Sequence, residues 1–170
     1  MRRSAYFLIL STSLAFGSEA YFSPGGGIQD QIIRRVNLAR STIDIAMYSF
    51  TSGALAKALV DAHQRGVVIR VIRDTSQSSD KHDENSFLIA HGIEVKEMGG
   101  NGRGSFHDKF AIFDNNVLET GSFNWTANGE KYNHENIIFF TDPELIRAFR
   151  QEFEKLWGKP HPQNSPRYEE

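Results

Sequence analysis

Cysteine is absent from the 170-residue chain, which excludes disulfide scaffolds, thiolate metal sites, iron–sulfur clusters and a cysteine nucleophile. Any catalysis must come from His, Lys, Ser, Thr or carboxylates. An excess of charge of either sign is also missing. With 19 basic and 21 acidic residues the formal net charge is −2, so a broad cationic surface of the kind that holds nucleic acid along its whole length is excluded, although a local basic groove is not. Proline is scarce as well: three of the five, Pro160, Pro162 and Pro166, crowd the C-terminal end. No apolar run approaches the roughly 20 residues that a membrane-crossing helix requires. What remains is ordinary globular composition, 39% hydrophobic and 24% charged, in a length that suits one domain with one core.

The amino-terminal segment MRRSAYFLILSTSLAFGSEA opens on Arg2 and Arg3, continues through an apolar stretch from Ala5 to Phe16 and ends in small residues. This is the layout of a secretory signal peptide over residues 1–20, cut after Ala20 or after Gly17, and it implies a periplasmic or secreted protein. An uncleaved membrane anchor is the alternative. Removal of residues 1–20 leaves 17 basic against 20 acidic residues, a formal −3.

From there the chain alternates strand and helix. An extended segment around Tyr21 leads through Pro24 and three glycines to a helix over 28–41. Thr42–Tyr48 and Val67–Ile72 are β-branched strands. Helices over 52–64 and 85–91 end at Gly66 and Gly92, and a strand follows over 93–98. The second half changes character. Lys109–Phe113 and Val117–Thr120 are separated only by Asp114-Asn115-Asn116, which is hairpin chemistry. Another strand spans 136–141, then an amphipathic helix spans Pro143–Trp157 with Asp142 as its cap. The fold class is α/β, a mixed, mostly parallel sheet flanked by helices in a single domain over 21–157, followed by a disordered tail over 158–170.

The chemistry concentrates between Ser105 and Asn136. His107 and Lys109, Ser122 and Asn124, and Asn133 and Glu135 are pairs at i and i+2, which share a face of an extended chain. Three such pairs can converge on one phosphate. Phosphodiester cleavage needs a nucleophile, positive or donor groups for the developing charge, and an acid for the leaving oxygen. The imidazole of His107 supplies the nucleophile, with Glu135 expected to take its other ring proton. Lys109, Ser122 and Asn124 would hold the non-bridging oxygens. Asp114, in the turn, is expected to hold the hairpin, with Gly121 structural as well. Arg73, Lys96 and Arg103 fall near strand ends and are expected to line a substrate groove together with Asn133. By alternation Asp108 and His134 face away from the site. The glycine-rich run Gly99–Gly104 lacks the ending of a phosphate-binding loop and reads as a loop beside the site. Trp125, Phe106 and Tyr132 flank the motif, either as core or as platforms for bases. No histidine pair has metal-binding spacing.

The run from His107 through Lys109, Asp114, Gly121, Ser122 and Asn124, with Glu135 downstream, resembles the HxKx₄Dx₆GSxN signature of the phospholipase D superfamily. The motif stands once in these 170 residues, where the phospholipases and cardiolipin synthases of that superfamily carry it twice. In this the chain is similar to the small, secreted, single-motif bacterial endonucleases. The resemblance implies an α/β/α sandwich, a phosphohistidine on His107, no metal and no cofactor, and a homodimer whose active site is shared between subunits. It also implies nucleic acid as substrate, and the mildly acidic balance with few basic residues leads us to expect single-stranded DNA or RNA ahead of duplex. A phospholipid hydrolase with the same site and a DNA-binding receptor for DNA uptake are the competing readings.

Overall fold

Seven strands, β1 (Ser18–Ser23), β2 (Thr42–Met47), β3 (Val68–Asp74), β4 (Glu94–Met98), β5 (Lys109–Phe113), β6 (Val117–Gly121) and β7 (Glu135–Phe140), form one sheet in the order β1-β7-β6-β5-β2-β3-β4. The computed structural model describes residues 17–79 and 83–159. The expected leader and tail therefore lie largely outside the described residues. Ser18–Ala20 are described, and they form the first half of β1 (Ser18–Ser23), which pairs antiparallel with β7 (Glu135–Phe140). A cut after Ala20 would halve that strand, whereas a cut after Gly17 would leave it whole.

The mixed sheet has a parallel half and an antiparallel half. β2 (Thr42–Met47), β3 (Val68–Asp74) and β4 (Glu94–Met98) run parallel. β5 (Lys109–Phe113) lies antiparallel to β2 and forms the expected hairpin with β6 (Val117–Gly121), which in turn pairs antiparallel with β7. Five strands thus point one way, but only two of the six pairings are parallel. The hairpin turn places Asp114 and Asn115 at φ 51° and 56°, a left-handed pair that Asp and Asn tolerate better than most residues.

Helices cover both faces. α1 (Ile28–Leu38), α2 (Gly53–Gln64) and α3 (Asn85–Ala90) pack Ile28, Ile32, Val36, Leu55, Leu59 and Leu88 onto Ile43, Ile45, Val71 and Ala111. A short helix, α4 (Ala127–Lys131), precedes β7. The opposite face, Ala46, Ile72, Phe110, Ile112 and Leu118, receives Ile146, Phe153 and Leu156 of α5 (Pro143–Trp157). The α5 start follows the sequence expectation: the Asp142 carboxylate accepts from the backbone N–H groups of Glu144 and Leu145 at 2.8 and 3.1 Å. α1 stops three residues short of its expected end because Arg40, Ser41 and Thr42 turn their backbone N–H groups onto Asp114.

Candidate active site

Strand direction gathers the motif at one end of the sheet. There β2, β3, β4 and β6 finish while β5 and β7 begin, so Lys109 lies across from Met47 and Gly121 from Ile137. Gly121 is required where it stands, because a Cβ there would lie 2.1 Å from the carbonyl oxygen of Asn136. That close approach of β6 to β7 sets Ser122 against Glu135.

The ammonium of Lys109 lies 3.2 Å from Nδ1 and 3.4 Å from Nε2 of His107, and donates to the His107 carbonyl at 3.0 Å. In the neutral imidazole one ring nitrogen is unprotonated, and its lone pair, once turned from Lys109 to substrate, is what attack on phosphorus requires. Burial lowers the pKa of Lys109 below its ordinary value, with the carboxylates of Glu135 and Asp108 acting in the opposite sense. Asp108 points the other way along the chain, as alternation predicts. Burial raises its pKa and Glu152 of α5 adds to the effect.

Two residues that sequence reasoning missed complete this wall. The ring of Tyr48 packs on His107 with centroids 4.5 Å apart, and Lys109 Nζ lies 5.3 Å from its centre. Gln77 Nε2 donates to the Tyr48 hydroxyl at 3.0 Å, and the Tyr48 backbone N–H donates to the Asp108 carbonyl at 2.9 Å. Ser49 donates its backbone N–H to Asn124 Oδ1 at 3.3 Å, which occupies the amide oxygen and leaves the Asn124 amide nitrogen as the available donor. The available signal was position: both residues follow the C-terminal end of β2, the side of an α/β sheet where ligands bind.

Glu135 departs from expectation. Its carboxylate takes the hydroxyl proton of Ser122 and, at 3.0 Å, the amide of Asn133, not the ring proton of His107. The sheet order explains this, since β6 lies between β7 and β5 and puts Ser122 within reach first. Ser122 consequently spends its proton on Glu135 and accepts from Asn136 N at 3.1 Å, so it does not offer a donor to a phosphate in this arrangement. Asn133 is a partner of Glu135 as well as a rim residue.

The expected basic groove is also corrected. Arg73 is 2% exposed and pairs with Asp83. Lys96 is 7% exposed, and its ammonium donates to the carbonyls of Leu156 and Trp157 at the end of α5 and of Lys159 just past it. Each points from the sheet into packed structure, because the last turn of α5 and the Asp83 segment cover the ends of β3 and β4. Only Arg103 is exposed, in the glycine-rich loop. That loop does flank the site, lining with His107, Asp108 and Lys159 a cleft of about 660 Å³. Trp125 and Phe106 are core, while Tyr132 is 75% exposed. Asp114 sits at the far end of the sheet and holds the hairpin, as expected.

Fold and site together define a class: an α/β/α sandwich with a histidine and a lysine paired at the sheet end where a phosphoryl group can be held. The family model for the cardiolipin synthase, PLD-like domain matches residues 32–157. The chain belongs to this phospholipase D-like family. It is 35% identical over 138 residues to the human mitochondrial cardiolipin hydrolase, covering 81% of this chain and 54% of that one. Against the mouse protein of the same name it is 37% identical over 127 residues, covering 75% and 57%. The chain thus spans a little over half the length of these relatives. Among solved structures it resembles Nuc of Salmonella typhimurium, a phospholipase D family member, with TM-score 0.77 and 29% identity over 84% of this chain and 94% of that one. NucT from Helicobacter pylori gives TM-score 0.78 and 25% identity, with 84% and 96% covered.

Proposed function

We propose that this protein is a metal-independent phosphodiesterase that cleaves nucleic acid through a phosphohistidine on His107. The observation that carries this reading is the Lys109 ammonium set against the His107 imidazole at the sheet end, with the amide nitrogen of Asn124 left as an available donor. Attack by the imidazole nitrogen forms an N–P bond while the P–O bond to the leaving group breaks. Lys109 and Asn124 hold the non-bridging oxygens as charge develops on them, the role that metal ions fill in other phosphodiesterases. The leaving oxygen needs a proton that a phosphorylated His107 cannot give. These 170 residues carry the motif once, so the acid is His107 of a second subunit, brought in by a twofold axis through the site. Water then attacks phosphorus, the N–P bond breaks and His107 is restored. The leader-like residues 1–20 fit action outside the cytoplasm.

Phospholipid is the second reading, favoured by the name of the mammalian relatives. The two separate in one experiment. The protein is incubated in excess chelator with single-stranded DNA, duplex DNA, RNA and cardiolipin vesicles, beside the His107→Ala variant. Cleavage of single-stranded nucleic acid by the native protein alone is expected. Lipid hydrolysis with inert nucleic acids would reverse the order, and silence on all four would favour a receptor.

A further inference from the structure

A second cleft lies beside Tyr48, the ring that packs on His107. It measures about 590 Å³, within the range of small-molecule sites, and is lined by Tyr48, Gln77, Glu84, Asn124, Asn128 and Asn133 with several hydroxyl residues. Its chemistry is unlike that of the phosphate site. Among the described residues no cation lines it, so a phosphate would find no counter-charge there. The one aliphatic side chain among its described lining residues is Ala127, so an acyl chain would find little to bury against.

What the cleft offers is a mixed set of neutral donors and acceptors. Gln77 uses its amide nitrogen on Tyr48 and Ser76, which leaves its carbonyl oxygen. Asn124 uses its oxygen on Ser49, which leaves its nitrogen. Asn133 uses its nitrogen on Glu135, which leaves its oxygen. Among the described residues the Asn128 side chain has no hydrogen-bond partner, so both halves of its amide are open. Carboxamides present a donor and an acceptor side by side, the pattern that matches the edge of a nucleobase.

We propose that this cleft is a nucleoside subsite, holding the sugar and base on one side of the scissile phosphate, with Asn128 hydrogen-bonded to the base edge. The inference rests on the reading of the protein as a nuclease and names where a neutral part of that substrate goes. Asn124 marks the junction, lining the cleft while its amide nitrogen is left for the phosphate. The base contacts are few and come from rotatable amides, so the subsite favours the presence of a base over its identity.

The test uses the full-length protein and two substrates with a single phosphodiester, a dinucleoside monophosphate and its counterpart lacking both bases, with cardiolipin vesicles as a third arm. The native protein should prefer the base-bearing diester about tenfold in kcat/KM, the effect of one or two hydrogen bonds, and Asn128→Ala should bring that ratio close to one. Equal rates on the two diesters in the native protein would overturn the subsite and leave the nuclease reading standing. A variant that loses both activities in proportion, keeping the ratio, would overturn it too. Turnover of the vesicles with neither diester cleaved would remove the nuclease reading and the subsite with it.

Discussion

Lys109 carries a consequence that can be read in a pH profile. On the proposed reading its charged form holds a phosphoryl oxygen, and burial moves its pKa below the ordinary 10.5. The alkaline limb of kcat/KM should therefore fall below pH 10.5, and Lys109→Ala should lower kcat about 10²-fold or more. A profile flat to pH 10.5 would contradict this. The meeting of His107 and Lys109 was legible in their spacing, because i and i+2 share a face in any strand. The failures at Glu135, Arg73 and Lys96 share one cause: spacing fixes the face of a strand but not what covers its end. Which neighbour reaches a carboxylate first depends on strand order, and whether a lysine is solvated depends on a helix end 60 residues away.

Within the hairpin, Asp114 in the turn and Glu119 in β6 do opposite things to stability. The Asp114 carboxylate accepts from Arg40 N at 2.9 Å, Ser41 N at 2.7 Å, Ser41 Oγ at 2.8 Å and Thr42 N at 3.1 Å. Burial opposes its charge, but these donors hold its pKa below the usual value, so it stabilises the fold above that range and ceases to do so as the carboxylate protonates in acid. Asp114→Ala should cost about 2 to 3 kcal/mol, seen as a lower melting temperature, while kcat of the folded protein stays unchanged because the turn lies at the end of the sheet remote from His107. A matching loss of kcat would contradict that separation. Glu119, in the middle of β6, is fully buried without a hydrogen-bond partner. Burial pushes its pKa up to about 8, and the nearby indole N–H of Trp125 moderates the rise. The unfolded chain releases this proton near pH 4.5 and the folded protein only near 8, so stability drains away as pH rises across that window. Glu119→Gln should raise the melting temperature at pH 8.5 by about 5 °C or more and flatten its dependence on pH. An unchanged slope would contradict the assignment. The hairpin itself was legible in Asp114-Asn115-Asn116, and α2 and α5 were legible from their caps and apolar stripes. α4 was not, because five residues carry too little periodicity to separate a helical turn from a loop.

As a whole, the molecule gathers His107 and Lys109 at one end of its sheet, and on the proposed reading the acid for the leaving group comes from a second copy. The alternating β and α pattern of residues 21–98 and the change to hairpin pairing after it fixed most of the sheet in advance. The antiparallel joins, β5 on β2 and β1 on β7, are long-range pairings that local pattern cannot specify. The account stands or falls on His107 as the atom that takes the phosphoryl group without a metal. Native protein in excess chelator, mixed with a phosphorus-labelled dinucleotide and quenched in alkaline denaturant during turnover, should carry the label on His107. Label on any other residue, or no turnover until a divalent metal is restored, would contradict it.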